Sequence, residues 1–229
     1  LRNDTLRSNS PLIHVDEKWR LVSRGEAWDA LGPRITDADL DRLKTVAVEV
    51  LGERDPQFDL PKEERYAASV YGKDMKYSQR LRKGLAETLA LVGSRPQALS
   101  GCSIGKAETT TVLVVRTLLH GAGWEKWASL NTCLPLLAEA DPNEFLCAVE
   151  SALSDLPSSP FHEVFSQEGG GIFGGSTYMS GLLWALEGLA WHPDYLSRVA
   201  VILADMDSID PGGNWANLPF NSLVAIFLP

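Results

Sequence analysis

Two prolines punctuate this chain in the same way. Pro142 follows Asp141 at the end of the apolar run Leu134–Ala140, and Pro193 follows His192 at the end of the apolar run 177–191. A proline cannot continue a helix, because it lacks the amide and crowds the preceding turn, yet its fixed φ suits the first turn of the next helix. Each therefore marks a tight corner between two helices. Beyond each corner the same pattern recurs at a constant offset of 50 residues: Phe145, Leu146, Val149, Ala152 and Leu153, then Tyr195, Leu196, Val199, Ile202 and Leu203. Such a hairpin can bury its apolar stripe only against a neighbour, so the repeat predicts an all-α fold. Its helical hairpins would be stacked as a HEAT- or armadillo-like array, or gathered in an irregular α-bundle.

Helical spacing of apolar residues extends through most of the chain. Leu40, Leu43, Val46, Ala47, Val50 and Leu51 predict a helix over 37–51, with Thr36 or Asp37 as its cap and Gly52 at its end. Leu81, Leu85, Leu89 and Val92 predict another over 78–92. The segment 106–120 carries β-branched Thr109, Thr110, Thr111, Val112, Val114 and Val115, but with no partner strands evident it too is read as helix. Further helices are predicted over 134–140, 143–153, 177–191 and 194–209. Proline and glycine mark loops at 54–62, 156–160, 167–176 and 210–219.

With 229 residues, 45% of them hydrophobic, the chain can bury a real core. No stretch reaches the length of a membrane span, since Glu187, His192, Asp194 and Arg198 interrupt the most apolar region. The net charge of −9 is unevenly placed. Residues 1–110 hold 18 basic and 17 acidic side chains, while 111–229 hold only 3 basic and 13 acidic. The expected organisation is a charge-balanced helical segment, 1–110, joined to an acidic helical-hairpin segment, 111–229, in one continuous α-helical domain. Leu at position 1 and the apolar ending Phe227-Leu228-Pro229 lead to the expectation of a piece of a larger protein. Cys102, Cys133 and Cys147 are odd in number and lack metal-binding spacing, which predicts three buried thiols in a reducing cytoplasm.

The chemical motifs are near misses. Gly169-Gly170-Gly171-Ile172-Phe173-Gly174-Gly175-Ser176 lacks both a phosphate-reaching lysine and a preceding strand, so it reads as a connector. Gly101-Cys102-Ser103-Ile104-Gly105-Lys106-Ala107 is one residue too short between its glycines for a Walker A loop and has alanine where magnesium needs a hydroxyl. His14, His120, His162 and His192 form no helical ligand pair, and no G-x-S-x-G elbow occurs. Asp205, Asp207 and Asp210 read as a solvated acidic helix end rather than an acid/base pair. No catalytic residue, cofactor or metal is assigned.

Trp124 with Trp127, and Trp184 with Trp191, are spaced to share a helix face, which predicts core packing between helices. Trp215 lies in a polar loop, where it either plugs a groove or contacts a partner. Lys73, Lys76, Arg80, Arg82 and Lys83, with Tyr71 and Tyr77 nearby, form a basic run that reads as a solvated helix face or a contact surface for phosphate or an acidic partner.

The strings Leu51-Gly52-Glu53-Arg54-Asp55-Pro56, Leu134-Pro135-Leu136-Leu137-Ala138-Glu139-Ala140, Gly181-Leu182-Leu183-Trp184-Ala185-Leu186-Glu187 and Asp210-Pro211-Gly212-Gly213-Asn214-Trp215-Ala216-Asn217 resemble the helical-repeat region of large bacterial multidomain proteins. Some of these are similar to STAND-type NTPases associated with defence. The resemblance implies that any ATPase or effector module lies outside these residues. The expected role is a non-catalytic scaffold or recognition segment for a protein or peptide partner, with candidate contacts at Lys73, Lys76, Arg80, Arg82, Lys83 and Trp215. Two alternatives stand beside it: an enzyme with an acidic, tryptophan-lined pocket of the carbohydrate-active toroid type, or nucleic-acid contact through 73–83.

Overall fold

The computed structural model describes residues 10, 12–15, 17–167, 178–209 and 218–228. An antiparallel hairpin, β1 (Leu12–Val15) and β2 (Lys18–Leu21), pairs Leu12 with Leu21 and Val15 with Lys18. It is the one sheet among the described residues; every later described element is a helix.

The helices form two layers. In one, α2 (Asp37–Leu51), α4 (Lys106–Leu119), α7 (Pro142–Leu153) and α10 (Pro193–Asp207) are successive neighbours. In the other, α3 (Gln79–Ser94), α6 (Leu134–Ala140) and α9 (Ser180–Ala190) are successive neighbours. The pairs α3/α4, α6/α7 and α9/α10 connect the layers as hairpins, so the chain is all-α and built of stacked hairpins. Short helices complete it: α1 (Arg24–Leu31) at the start, α5 (Trp124–Ser129) and α8 (Pro160–Gln167) packed on each other, and α11 (Pro219–Phe227) against α9 and α10.

Local chemistry fixes the helix ends. Asp39 Oδ2 accepts from the Thr36 amide at 2.9 Å and from its hydroxyl at 2.8 Å, which closes the start of α2. Pro142 and Pro193 occupy the first turns of α7 and α10, and the residues before them act as caps. Asp141 Oδ1 accepts from the Glu144 amide at 2.9 Å, and His192 Nδ1 from the Asp194 amide at 3.3 Å. The repeated apolar positions behave alike in their cores: Phe145, Leu146, Val149 and Leu153 are buried, as are Val199, Ile202 and Leu203.

Two glycines let the second layer close up. A Cβ on Gly93 of α3 would overlap the carbonyl of Ala140 at the end of α6, and one on Gly181 of α9 would overlap the carbonyl of Asn131 just before α6. Helix α3 runs past the predicted end at residue 92 to Ser94, and the absent side chain of Gly93 is what allows the α3–α6 approach. Helix α3 buries Arg82, Ala86, Leu89, Ala90 and Val92, so the spacing-derived stripe holds at Leu89 and Val92, while in its first turns Arg82 and Ala86 take the inward places expected of Leu81 and Leu85. Leu81 is exposed.

Candidate recognition face

The outward side of the α4–α7–α10 layer carries a series of cross-helix ion pairs. Lys106 of α4 bonds Asp41 of α2 at 2.8 Å. Arg116 of α4 grips Glu144 of α7 through Nε and Nη2, both at 2.8 Å. Arg198 of α10 grips Glu150 of α7 through Nε and Nη2, both at 2.9 Å. These forked contacts are the geometry in which guanidinium and carboxylate bind most firmly. Hydrogen bonding to Arg116 holds the Glu144 carboxyl below its ordinary pKa, with His120 Nε2 adding a further contact at 2.9 Å. The Glu150 carboxylate in turn raises the pKa of Arg198.

Cys147 lies on α7 between these two pairs, exposed, with Arg198 Nη2 3.5 Å from its sulfur. Burial of all three cysteines is thus corrected: Cys133 is buried, Cys102 is half-buried, and Cys147 follows the outward side of α7.

A groove of about 520 Å³ runs between α7 and α10, lined by Glu150, Leu153, Ser154, Ser197, Arg198, Val201, Ile202 and Asp205. Its floor is aliphatic, with Val201 62% exposed in it. A second depression of about 310 Å³, floored by Leu119, Ala122 and Ala152, is edged by Ser151, Asp155 and Ser158. Ser154 lines both, so they adjoin at the C-terminal end of α7.

The electrostatics of this region follow from three residues. The only cations of 111–229 are Arg116, Lys126 and Arg198. Arg116 and Arg198 are held by Glu144 and Glu150, and Lys126 donates to the carbonyl of Gly52 at the end of α2. Burial lowers the Lys126 pKa. No cation of 111–229 is left over, while Asp205 in the groove and Asp155 on the edge of the second depression have no cationic partner among the described residues. The Asp155 carboxylate accepts from Ser158 Oγ at 2.7 Å.

The basic run is divided by the fold. Lys73 pairs with Asp59 at 2.9 Å; Lys76 reaches Glu49 at 3.7 Å and lies 4.7 Å from the Tyr77 ring centroid. Arg82 is fully buried and is no surface contact: Nη1 donates to Val50 O at 2.7 Å and Nη2 to Ser129 O at 3.0 Å. Arg80 and Lys83 remain on the exposed side of α3. Trp215 and the glycine-rich stretch 169–176 lie outside the described residues.

The tryptophans also separate. Trp127 is core, with ring centroids 5.1 Å from Phe161, and Trp124 stacks edge-on to Phe58 at 5.0 Å. Trp184 and Trp191, expected in the core, are exposed. Helix α9 is apolar nearly all round, and both tryptophans fall on its one outward side. Among the described residues no helix is long and apolar enough to cross a membrane, and no cluster of three His, Cys, Asp or Glu could hold a metal.

No family model matches the chain, and no curated protein or solved structure matches it either.

Proposed function

We propose that this chain is a non-catalytic helical-repeat segment, HEAT-like in its hairpin stacking, that recognises a protein or peptide partner along the groove between α7 and α10. The observation that carries the reading is the pairing of an exposed Val201 on an aliphatic floor with polar, hydrogen-bond-capable edges. That combination suits backbone and side chains of a bound segment better than it suits bulk water. The forked pair Arg198–Glu150 ties the two walls of the groove together before any partner arrives, which lowers the ordering cost of binding.

The resemblance to helical-repeat regions of bacterial multidomain proteins supports the same role, as does the lack of a complete nucleotide motif in the sequence. A cytoplasmic setting belongs to this proposal, in keeping with three unpaired cysteines, one of them exposed. The described carboxylates are spent on caps and cross-helix pairs or dispersed along helix edges, which gives the toroid-enzyme alternative little support. The burial of Arg82 and the pairing of Lys73 and Lys76 do the same for nucleic acid.

The test is an immobilised library of random short peptides probed with the wild-type chain and with Val201→Arg. Retention of a subset of peptides by the wild type, lost in the variant, is the expected result. Retention indifferent to the variant, or no retention, defeats the proposal.

A further inference from the structure

We infer that the occupant of the α7–α10 groove and of the depression adjoining it at Ser154 is a cationic peptide segment, with lysine or arginine side chains meeting Asp205 in the first and Asp155 in the second and an apolar side chain lying on Val201. This deepens the recognition reading above and rests on it. The argument is one of charge complementarity. In 111–229 there are only three cations, and each is already committed inside the fold, to Glu144, to Glu150 and to the carbonyl of Gly52. None is available to answer an acidic ligand, because releasing Arg198 would strand Glu150 on the groove wall and loosen the α7–α10 contact.

The two edge carboxylates stand differently. Asp205 lines the first depression beside Val201, and Asp155 lines the second, with shared Ser154 between them. Neither is neutralised by a cation among the described residues, and each is an exposed carboxylate on the lining of a depression that also holds aliphatic side chains, so one ligand can meet both charge and apolar surface. An anionic or nucleic-acid ligand would meet uncompensated like charge at both ends. A neutral apolar ligand would cover Val201 but shield the carboxylates from water with nothing in return. A segment carrying positive charge on either side of an apolar residue satisfies all three contacts at once.

The test uses three sets of immobilised peptides of about ten residues, alternating valine with lysine, with glutamate or with serine, a length suited to groove recognition. Each is probed with the wild-type chain, Val201→Arg, Asp155→Lys/Asp205→Lys and the milder Asp155→Asn/Asp205→Asn, all checked for native helicity. The wild type should retain the lysine set. Charge reversal should weaken that retention by about tenfold or more and neutralisation by less, with added salt weakening wild-type retention in parallel. If the glutamate or serine set is retained instead, and lost in Val201→Arg, the cationic inference falls while groove recognition stands. Lysine-set retention indifferent to both aspartate variants likewise overturns the inference. Should every set bind equally to wild type and Val201→Arg, or none bind, both readings fall.

Discussion

Arg82 donates Nη1 to the carbonyl oxygen of Val50 at 2.7 Å while its own side chain has no exposed surface. With Nη2 on Ser129 O, one guanidinium closes the C-terminal ends of both α2 and α5, where carbonyls lack helical partners and the helix dipoles favour a cation. Removing it strands buried acceptors. Arg82→Ala should lower unfolding free energy by roughly 3–5 kcal/mol in urea titration, the range for breaking a buried charged contact. Arg80→Ala and Lys83→Ala, on the exposed side of the same helix, should each stay within about 0.5 kcal/mol. Equal effects at Arg80 and Arg82 would contradict the division of the basic run.

Glycine substitutions should change sign with position. Gly93→Ala and Gly181→Ala drive a methyl into the Ala140 and Asn131 carbonyls and should each cost about 1–3 kcal/mol, or more where α6 cannot give way. Gly84→Ala in α3 and Gly188→Ala in α9 meet nothing within 4 Å, and should gain roughly 0.5–1 kcal/mol from reduced backbone freedom in the unfolded chain. Thermal melts of the four variants give the comparison directly.

The two acidic residues at the start of α7 should titrate in opposite directions. Contact with Arg116 holds Glu144 below its ordinary 4.5, so its contribution is present above that value and is lost as pH falls through the depressed one. Burial raises Asp141 above its ordinary 3.8, so ionising it in the folded state opposes stability as pH climbs from 3.8 through the raised value. Asp141→Asn keeps an equally good cap without the buried charge, and should be at least as stable as wild type at neutral pH. Asp141→Ala should lose about 1 kcal/mol, and Glu144→Gln should flatten the acid limb. Chemical denaturation from pH 3 to 7 resolves the three.

Indole environments should follow the fold rather than the spacing. Trp127→Ala should cost about 3–5 kcal/mol as a large core truncation, whereas Trp184→Ala and Trp191→Ala should cost under about 1 kcal/mol. In acrylamide quenching, replacing Trp184 and Trp191 should remove readily quenched emission, whereas replacing Trp127 should not. A persistent exposed signal equal to wild type would place them inside.

The long helices were legible because proline, aspartate and threonine chemistry mark their ends whatever surrounds them. Asp37–Leu51 and Leu134–Ala140 match their sequence reading residue for residue, and α7 and α10 begin at the prolines that announce them. The hairpin at 12–21 and the helices α1, α5, α8 and α11 have no such signal in the sequence: they are four to nine residues long, too short for a period, and unlike the equally short α6 they form no apolar run closed by an Asp-Pro corner. The groove was legible only as a charge imbalance between halves. Which carboxylates face solvent depends on cross-helix partners more than 25 residues away, such as Arg116 with Glu144 and Arg198 with Glu150, and no local pattern encodes those. The buried Arg82 had a signal in retrospect, lying four residues before Ala86 and seven before Leu89 on one helical stripe.

The ion pairs between layer helices also carry a sign pattern that matches their order. In these pairs α2 presents an acid, α4 two bases, α7 two acids and α10 a base, so the signs alternate along the row. Excising the α6–α7 hairpin would bring Arg116 of α4 up against Arg198 of α10, with both carboxylates gone. Exchanging α7 with α10 would put like charge beside like in the same way. Shortening the row by one hairpin or shuffling it would therefore set like charge against like, although the apolar patterns of α7 and α10 are alike.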